Sequence, residues 1–345
     1  MIKMKTLLLD TKGDEYINIC SDIVKKSGIV ALPTETVYGL CANALDESAV
    51  KKIFKAKGRP QDNPLIVHIS GLKDVEKYAK NIPESAYLLF EKFWPGPLTV
   101  ILKKRDIISD LITANHDTVA LRLPNNRVMQ NIIKKSGVPL AAPSANLSGR
   151  PSPTEFSHVV EDMNGKIDAI VDGGKCDIGV ESTVISLIDD PIILRPGFIT
   201  IEEIEKFLPT VKLYDKVFSE INEKEKVLSP GMKYRHYAPK SPLICVIGED
   251  NKAANYINSN LEINTFCIVF DNESHLYKTK NIITYGIKQM PNTLLKNLYS
   301  ALRKADSYNA EKIYIHCPEM DKEFNALYNR IILASSHNVI YLGNK

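Results

Sequence analysis

The 345-residue chain lacks most of the short signatures that announce a protein's chemistry. It has no GxxxxGK[ST] phosphate loop, no GxGxxG turn, no HExxH and no GxSxG elbow. The residues needed for the common nucleotide-binding, zinc-protease and serine-hydrolase readings are therefore missing. Its six cysteines (Cys20, Cys41, Cys176, Cys245, Cys267 and Cys317) are scattered, and none forms a CxxC pair. Free buried thiols are expected, in place of a disulfide framework or a zinc site. No run approaches the ~20 apolar residues of a membrane helix, and the apolar part of "MIKMKTLLLDTKGDEY" is too short for a signal peptide. A cytoplasmic protein with no membrane partner is expected. A formal net charge of +3 argues against wholesale electrostatic capture of nucleic acid and leaves room for a local basic cleft.

What is present is an ordinary globular composition, 44% hydrophobic and 25% charged, long enough for two domains. Short β-branched segments bounded by Gly or Pro recur through the first two hundred residues: "GIVALPT", "PLIVHIS", "PLTVILKK", "TVALRLP", "PLAAPSA" and "DAIVDGG". Between them lie helical patterns, including 47–57 with Gly58 as its stop. "STVISLI" and "PIILRPG" predict a hairpin across Asp189, Asp190 and Pro191, followed by a helix capped at Thr200. Clean periodicity is lost over 211–241 and returns as five strand-like segments with a strong amphipathic helix over 293–308. The expected division is 1–210, a linker 211–241, and a smaller α/β layer domain at 242–345 with a largely parallel sheet.

Dense polar stretches sit at the strand ends. "PTETVYGL" offers Thr34, Glu35, Thr36 and Tyr38, or simply a well-capped helix start. In "KGRPQDNPLIVH", Pro60 and Pro64 restrict the backbone around Lys57, Arg59 and Asn63, and held cations suit phosphate recognition better than solubility alone. His68 is either a satisfied core histidine or, if it faces a cleft, a carboxylate ligand. "APSANLSGRPSPT" packs Ser144, Asn146, Ser148, Gly149, Ser152 and Thr154 between prolines, which fits an anion nest, a helix N-cap, or both. Arg122 in "VALRLP" and Arg195 in "ILRPG" interrupt apolar strands. An unpaired buried charge is too costly, so each pairs with a carboxylate or points into a cleft. With Lys57 and Arg59, four cations would converge on a polyanion.

In this order, "PTETVYGL", "KGRPQDNPLIVHI", "WPGPLTVIL", "VALRLP", "PLAAPSANLSGRPSPT", "ESTVI…ILRPG" and "SPGMKYRHYAPKSPL" resemble the two-domain L-threonylcarbamoyladenylate synthases. The resemblance is close over about 8–240 and looser beyond. It implies a YrdC-like catalytic domain, a twisted mixed α/β sheet with a concave basic cleft, followed by a smaller Rossmann-like domain. The implied reaction joins L-threonine, bicarbonate or CO2, and ATP into threonylcarbamoyl-AMP and pyrophosphate, for N6-threonylcarbamoylation of tRNA by partner proteins.

By the same resemblance Thr34, His68, Arg122 and Ser182 contact threonine, with Arg122 on its carboxylate. Lys57 and Arg59 meet the ATP phosphates, and Asn63, Thr118, Ser144, Asn146, Ser152, Arg195 and Tyr234 contact the nucleotide. Tyr234, Arg235 and His236 belong to a lid that excludes water. Mg2+ would arrive on the triphosphate, since no carboxylate cluster forms an evident protein cage in the sequence. Two departures are Ser186, where an acidic residue is expected, and "PEMDKEFNALYNR", which lacks the glycines expected there. Two rivals remain: an RNA- or tRNA-binding module, which requires cations spread over a face, and a carbamoyltransferase using carbamoyl phosphate.

Overall fold

A computed structural model describes residues 5–219, 229 and 236–343. Among these, twelve strands form one mixed sheet. Its central run is Gly39–Asn43, Leu140–Ala141, Ile66–His68, Thr118–Arg122, Leu98–Lys104 and Thr183–Ser186. The strands Leu7–Asp10, Ala169–Asp172 and Val30–Leu32 extend one side, and Ile192–Arg195 with Lys212–Leu213 extend the other. Parallel pairing sets His68 beside Arg122, and Thr183 beside Leu98. The expected hairpin is present as an antiparallel pair with a bulge between Val184 and Ile185. Such an irregularity re-aims side chains, here two residues after Ser182. Ser186 closes that strand.

Helix Glu47–Lys57 forms where the periodicity places it. Asp46 caps its first amides, and Gly58 ends it at φ 63°, a left-handed conformation that glycine adopts without strain. Its buried face (Ala49, Val50, Ile53, Phe54) packs into the main core with Leu40, Leu65 and Val67. Lys57 is carried into the interior by the last turn of the same helix. The stretch after Pro33 does not start a helix: it makes a tight turn and then the strand Gly39–Asn43. Gly39 suits a close approach there: a Cβ would sit 3.3 Å from the Cβ of Ala142, just past the adjacent strand.

The second sheet is wholly parallel, in the order Ile282–Thr284, Thr265–Val269, Lys312–Cys317, Leu243–Ile247, Val339–Tyr341. Helix Asp250–Ser259 covers one face, and Pro291–Ser307 with Asn325–Ala334 cover the other. That second core does not stop at the first sheet's border. Val37, Ile178 and Val180 pack into it with Leu294, Leu295 and Leu298, so the two sheets share one apolar seam. The six cysteines are buried and free. No helix among the described residues is long and apolar enough to cross a membrane.

Candidate active site

One concavity holds most of the chemistry-bearing residues. It encloses about 750 Å3, part of it open to solvent, and its wall includes Thr34, Lys57, Arg59, His68, Arg122, Ser144, Asn146, Ser182, Arg195 and His236. The four cations expected to converge do line a single cavity. Tyr234 and Arg235 lie outside the described residues. His236 and Tyr237 stand on the wall, and the amide of Ala238 donates to the carbonyl of Gly149 at 2.8 Å, tying this segment to the opposite loop.

Arg122 answers both halves of the question its sequence raised. Its Nη2 pairs with Glu35 at 2.7 Å, both groups being buried. Nη1 donates to the Thr36 hydroxyl at 2.9 Å and Nε to the carbonyl of Gly96 at 3.3 Å. Three of the five guanidinium N–H groups are thus spent on holding the side chain, and it still lines the cavity. Thr34 caps its own turn: its hydroxyl donates to the carbonyl of Val37 at 2.7 Å and accepts from the amides of Thr36 and Val37. The result is a directed chain from Arg122 through Thr36 to Thr34.

His68 is not built to attract a carboxylate. Burial, and then the neighbouring Arg122, lower its pKa to about 3, so the ring is neutral at physiological pH. Its Nδ1 lies 3.3 Å from the carbonyl of Ile66. A carbonyl can only accept, so Nδ1 carries the hydrogen and Nε2 keeps a lone pair. The expected outcome is a ring that stays neutral down to at least pH 5, checked by the 13C and 15N shifts of His68 in labelled protein. The sign follows from linkage: with the folded pKa depressed, this histidine's stabilising contribution is intact above about pH 6.5 and is lost as pH falls towards 3.

Lys57 is spoken for more completely than its sequence suggests. Its Nζ donates to the carbonyls of Ser144 and Asn146, the latter at 2.7 Å, and weakly to Asn146 Oδ1 at 3.4 Å. The carbonyl of Lys57 in turn accepts from the amide of Ser148. Burial, and then Arg59, push its pKa well below the ordinary lysine value. A polyanion in the cavity would favour the charged form, the form whose three N–H groups match its three acceptors. Asn146 completes the loop by donating to the carbonyls of Leu147 and Arg150. Arg59 is half-buried and hydrogen-bonded to the carbonyls of Asn63 and Pro64.

Ser182 and Arg195 form a unit. Arg195 donates from Nε and Nη2 to the carbonyl of Ser182 at 3.1 and 2.9 Å, and from Nη2 to its hydroxyl at 3.2 Å. Beside them, on the same wall, lies Glu181, which the sequence reading passed over. It accepts from Ser152 on Oε1, and on Oε2 from Arg330 Nε at 2.8 Å and Tyr299 at 2.9 Å. Arg330 also donates to the carbonyl of Pro196 at 2.9 Å. The second sheet's helices therefore grip the two chain segments that present Ser182 and Arg195. The available signal was a lone arginine inside the apolar run "NALYNRIILA", the same signal that singled out Arg122 and Arg195.

Three expected residues are not on the cavity wall. Ser152 is fully buried behind it, on Glu181. Asn63 is buried beside Pro64, which does line it. Thr118 begins the strand that Arg122 ends, four residues or roughly 13 Å away, and it lines a separate depression with His116, Asp117 and Asp190.

Residues 22–197 match the family described as "Telomere recombination", and residues 199–336 match "Threonylcarbamoyl-AMP synthase, C-terminal domain". The chain is 42% identical to the threonylcarbamoyl-AMP synthase of Pyrococcus abyssi, over 94% of this chain and 95% of that one. It is likewise 42% identical to the synthase of Bacillus subtilis, over 95% of each. A solved structure of P. abyssi Sua5 complexed with L-threonine superposes with a TM-score of 0.91 at 41% identity, covering 98% of this chain and 99% of that one.

Proposed function

The chain belongs to the threonylcarbamoyl-AMP synthase family, and from that premise we propose that its basic concavity joins L-threonine, bicarbonate or CO2, and ATP into threonylcarbamoyl-AMP and pyrophosphate. The observation that carries this reading is the placement of Lys57, Arg59, Arg122 and Arg195 around one cavity, with the polar side chains of Thr34, Thr36, Ser144, Asn146, Ser148 and Ser182 set among apolar residues and Glu181 on the same wall. Cations gathered singly around a pocket suit a small polyanion; an RNA surface needs them spread over a face.

The reaction brings anions together. A neutral threonine amine attacks CO2 to give a carbamate, the carbamate oxygen attacks the α-phosphorus of ATP, and pyrophosphate leaves. Positioning and charge neutralisation are then the main work of the protein. In this reading Arg122 uses its two remaining N–H groups on the threonine carboxylate, and Thr34 and Ser182 shape the pocket around the amino acid. His68 Nε2 accepts a hydrogen bond from the substrate's hydroxyl or amine. Arg59 and Arg195 meet the phosphates, with Lys57, Ser144 and Asn146 setting the loop against which the nucleotide lies. Asn63 and Ser152 support that wall from behind. His236 belongs to a segment that closes the cavity against water.

Mg2+ is carried in on the triphosphate, the product passes to a tRNA-modifying partner, and the protein works in the cytoplasm. The division at 1–210, 211–241 and 242–345 gives catalytic domain, lid and Rossmann-like domain, with the first sheet's edge strand Lys212–Leu213 reaching just past the first boundary. The test is pyrophosphate release by purified protein with threonine and bicarbonate omitted in turn, and mass detection of the adenylate. Release that needs both is expected. Release that needs neither, or that runs on carbamoyl phosphate alone, would overturn the reading.

A further inference from the structure

The second sheet carries a buried set of side chains that this reaction does not use. Gly248 and Asp250 follow the strand Leu243–Ile247, Glu273 follows Thr265–Val269, and His316 lies at the end of Lys312–Cys317. Because the strands are parallel, these positions meet at one edge of the sheet. Asp250, Glu273 and His316 each bring one ligand atom within 4.8 Å of the others. His316 is fully buried and Glu273 is 3% exposed.

The imidazole is oriented from behind. Its Nε2 lies 3.1 Å from the carbonyl of Gly248, which fixes a hydrogen on that nitrogen. Nδ1 then faces Glu273 Oε2 at 2.8 Å, with the Tyr277 hydroxyl at 3.3 Å. A ring nitrogen with a lone pair and a carboxylate oxygen cannot face each other unless something positive stands between them. A second observation points the same way: Glu273 Oε1 is buried with no hydrogen-bond partner among the described residues. Lys288 compensates Asp250 at 2.5 Å, and Glu273 meets the Asp250 carboxyl as well as Nδ1, so two carboxyls and a ring nitrogen converge.

We propose that Asp250, Glu273 and His316 form a binding site for one divalent transition-metal ion of the zinc type. A histidine ligand whose other ring nitrogen donates to a backbone carbonyl is the usual outer-shell arrangement at metal sites. One imidazole with two carboxylates favours a borderline ion over Mg2+ or Ca2+, which prefer all-oxygen shells. The present 2.8 Å spacing is that of a shared proton. Ligand bonds of ~2.0–2.1 Å set tetrahedral ligand atoms roughly 3.3 Å apart, so the ion replaces the proton as the pair opens by about 0.5 Å. Lys288, which is partly exposed, turns away from Asp250 as the ion takes its place. The bound ion would tie together the ends of three strands.

The experiment uses the full chain, stripped with a chelator and titrated with Co2+ and then Zn2+, without nucleotide. Visible Co2+ absorption saturating at one ion per chain, displaced by Zn2+, is expected, together with a higher Tm in Zn2+. His316→Gln and Glu273→Gln should abolish both signals. Asp250→Asn changes a partly exposed residue and so keeps the test readable if the buried variants fail to fold; it should weaken binding by at least about tenfold and leave threonine-dependent pyrophosphate release unchanged. No absorption and no Tm shift in the unaltered protein, or binding undiminished in Asp250→Asn and Glu273→Gln, would overturn the proposal. The metal readouts, Co2+ absorption and Tm, do not depend on the synthase activity.

Discussion

Replacing Arg122 with lysine should raise the KM for threonine by about a hundredfold while leaving ATP affinity within about twofold. The magnitude comes from the contacts at stake: hydrogen bonds to charged groups contribute about 1.5–3 kcal/mol each, and about 2.7 kcal/mol corresponds to a hundredfold. Lysine keeps the charge and so keeps Glu35 paired, but it loses the planar fork that spans Glu35, Thr36 and a carboxylate at once. Arg122→Ala is a harsher change, because it strands a buried carboxylate and costs about 3–5 kcal/mol of stability. Lysine is therefore the informative substitution. Titrating threonine and ATP separately checks it: an equal loss for both substrates would mean that Arg122 serves the cavity's general charge and has no particular role at the amino acid. Arg59→Gln is the matched control, with the loss expected on the ATP side.

The fold was legible where local rules are strong. Helix Glu47–Lys57 carries its Asp46 cap and its Gly58 stop in the sequence, and the capping box at Thr200 and Glu203 is written out in "TIEE". All five strands of the second sheet were visible as short β-branched runs. The turn of Thr34 and the strand after it were less so, because Gly39 serves a close approach to Ala142 that local sequence does not reveal. Site residues separated in the same graded way. The strand arginines announced themselves by interrupting apolar runs, whereas their partners depend on tertiary placement. Glu35, only two residues before an apolar Val37, gave no sign that it would meet Arg122. Thr118 shares a strand with Arg122, and a strand has two ends, so membership of the motif did not put it at the cavity. The Lys57 carbonyl contacts and the Asp250–Glu273–His316 cluster bring together residues far apart in the chain, and no spacing rule anticipates them.

Arg330→Met should destabilise the protein by about 3–5 kcal/mol and lower kcat as well, although Arg330 is not on the cavity wall. The carboxylate of Glu181 is the reason. Burial alone would raise its pKa, yet Arg330 and Arg195, with the hydrogen bonds from Ser152 and Arg330, hold it down to about 2. Removing Arg330 leaves that charge buried with one guanidinium fewer, and it releases the carbonyls of Glu181 and Pro196, which flank Ser182 and Arg195. The double variant Arg330→Met with Glu181→Gln removes both charges together, so at least half of the lost stability should return, as expected for a strongly coupled pair. The same pair sets an acid limit. A folded pKa below the unfolded value of about 4.3 means that this stabilisation is complete above pH 4.3 and fades as pH falls towards 2. The double variant should therefore show a shallower loss of stability across that window. Chemical denaturation of the unaltered protein, Arg330→Met, Glu181→Gln and the double variant at pH 7 and pH 3, with kcat measured at pH 7, tests the argument. If Arg330→Met loses stability but keeps full kcat, the second domain merely adheres to the first. If both fall and the double variant recovers stability without recovering kcat, the grip of Arg330 on Pro196 is what holds Arg195 in place.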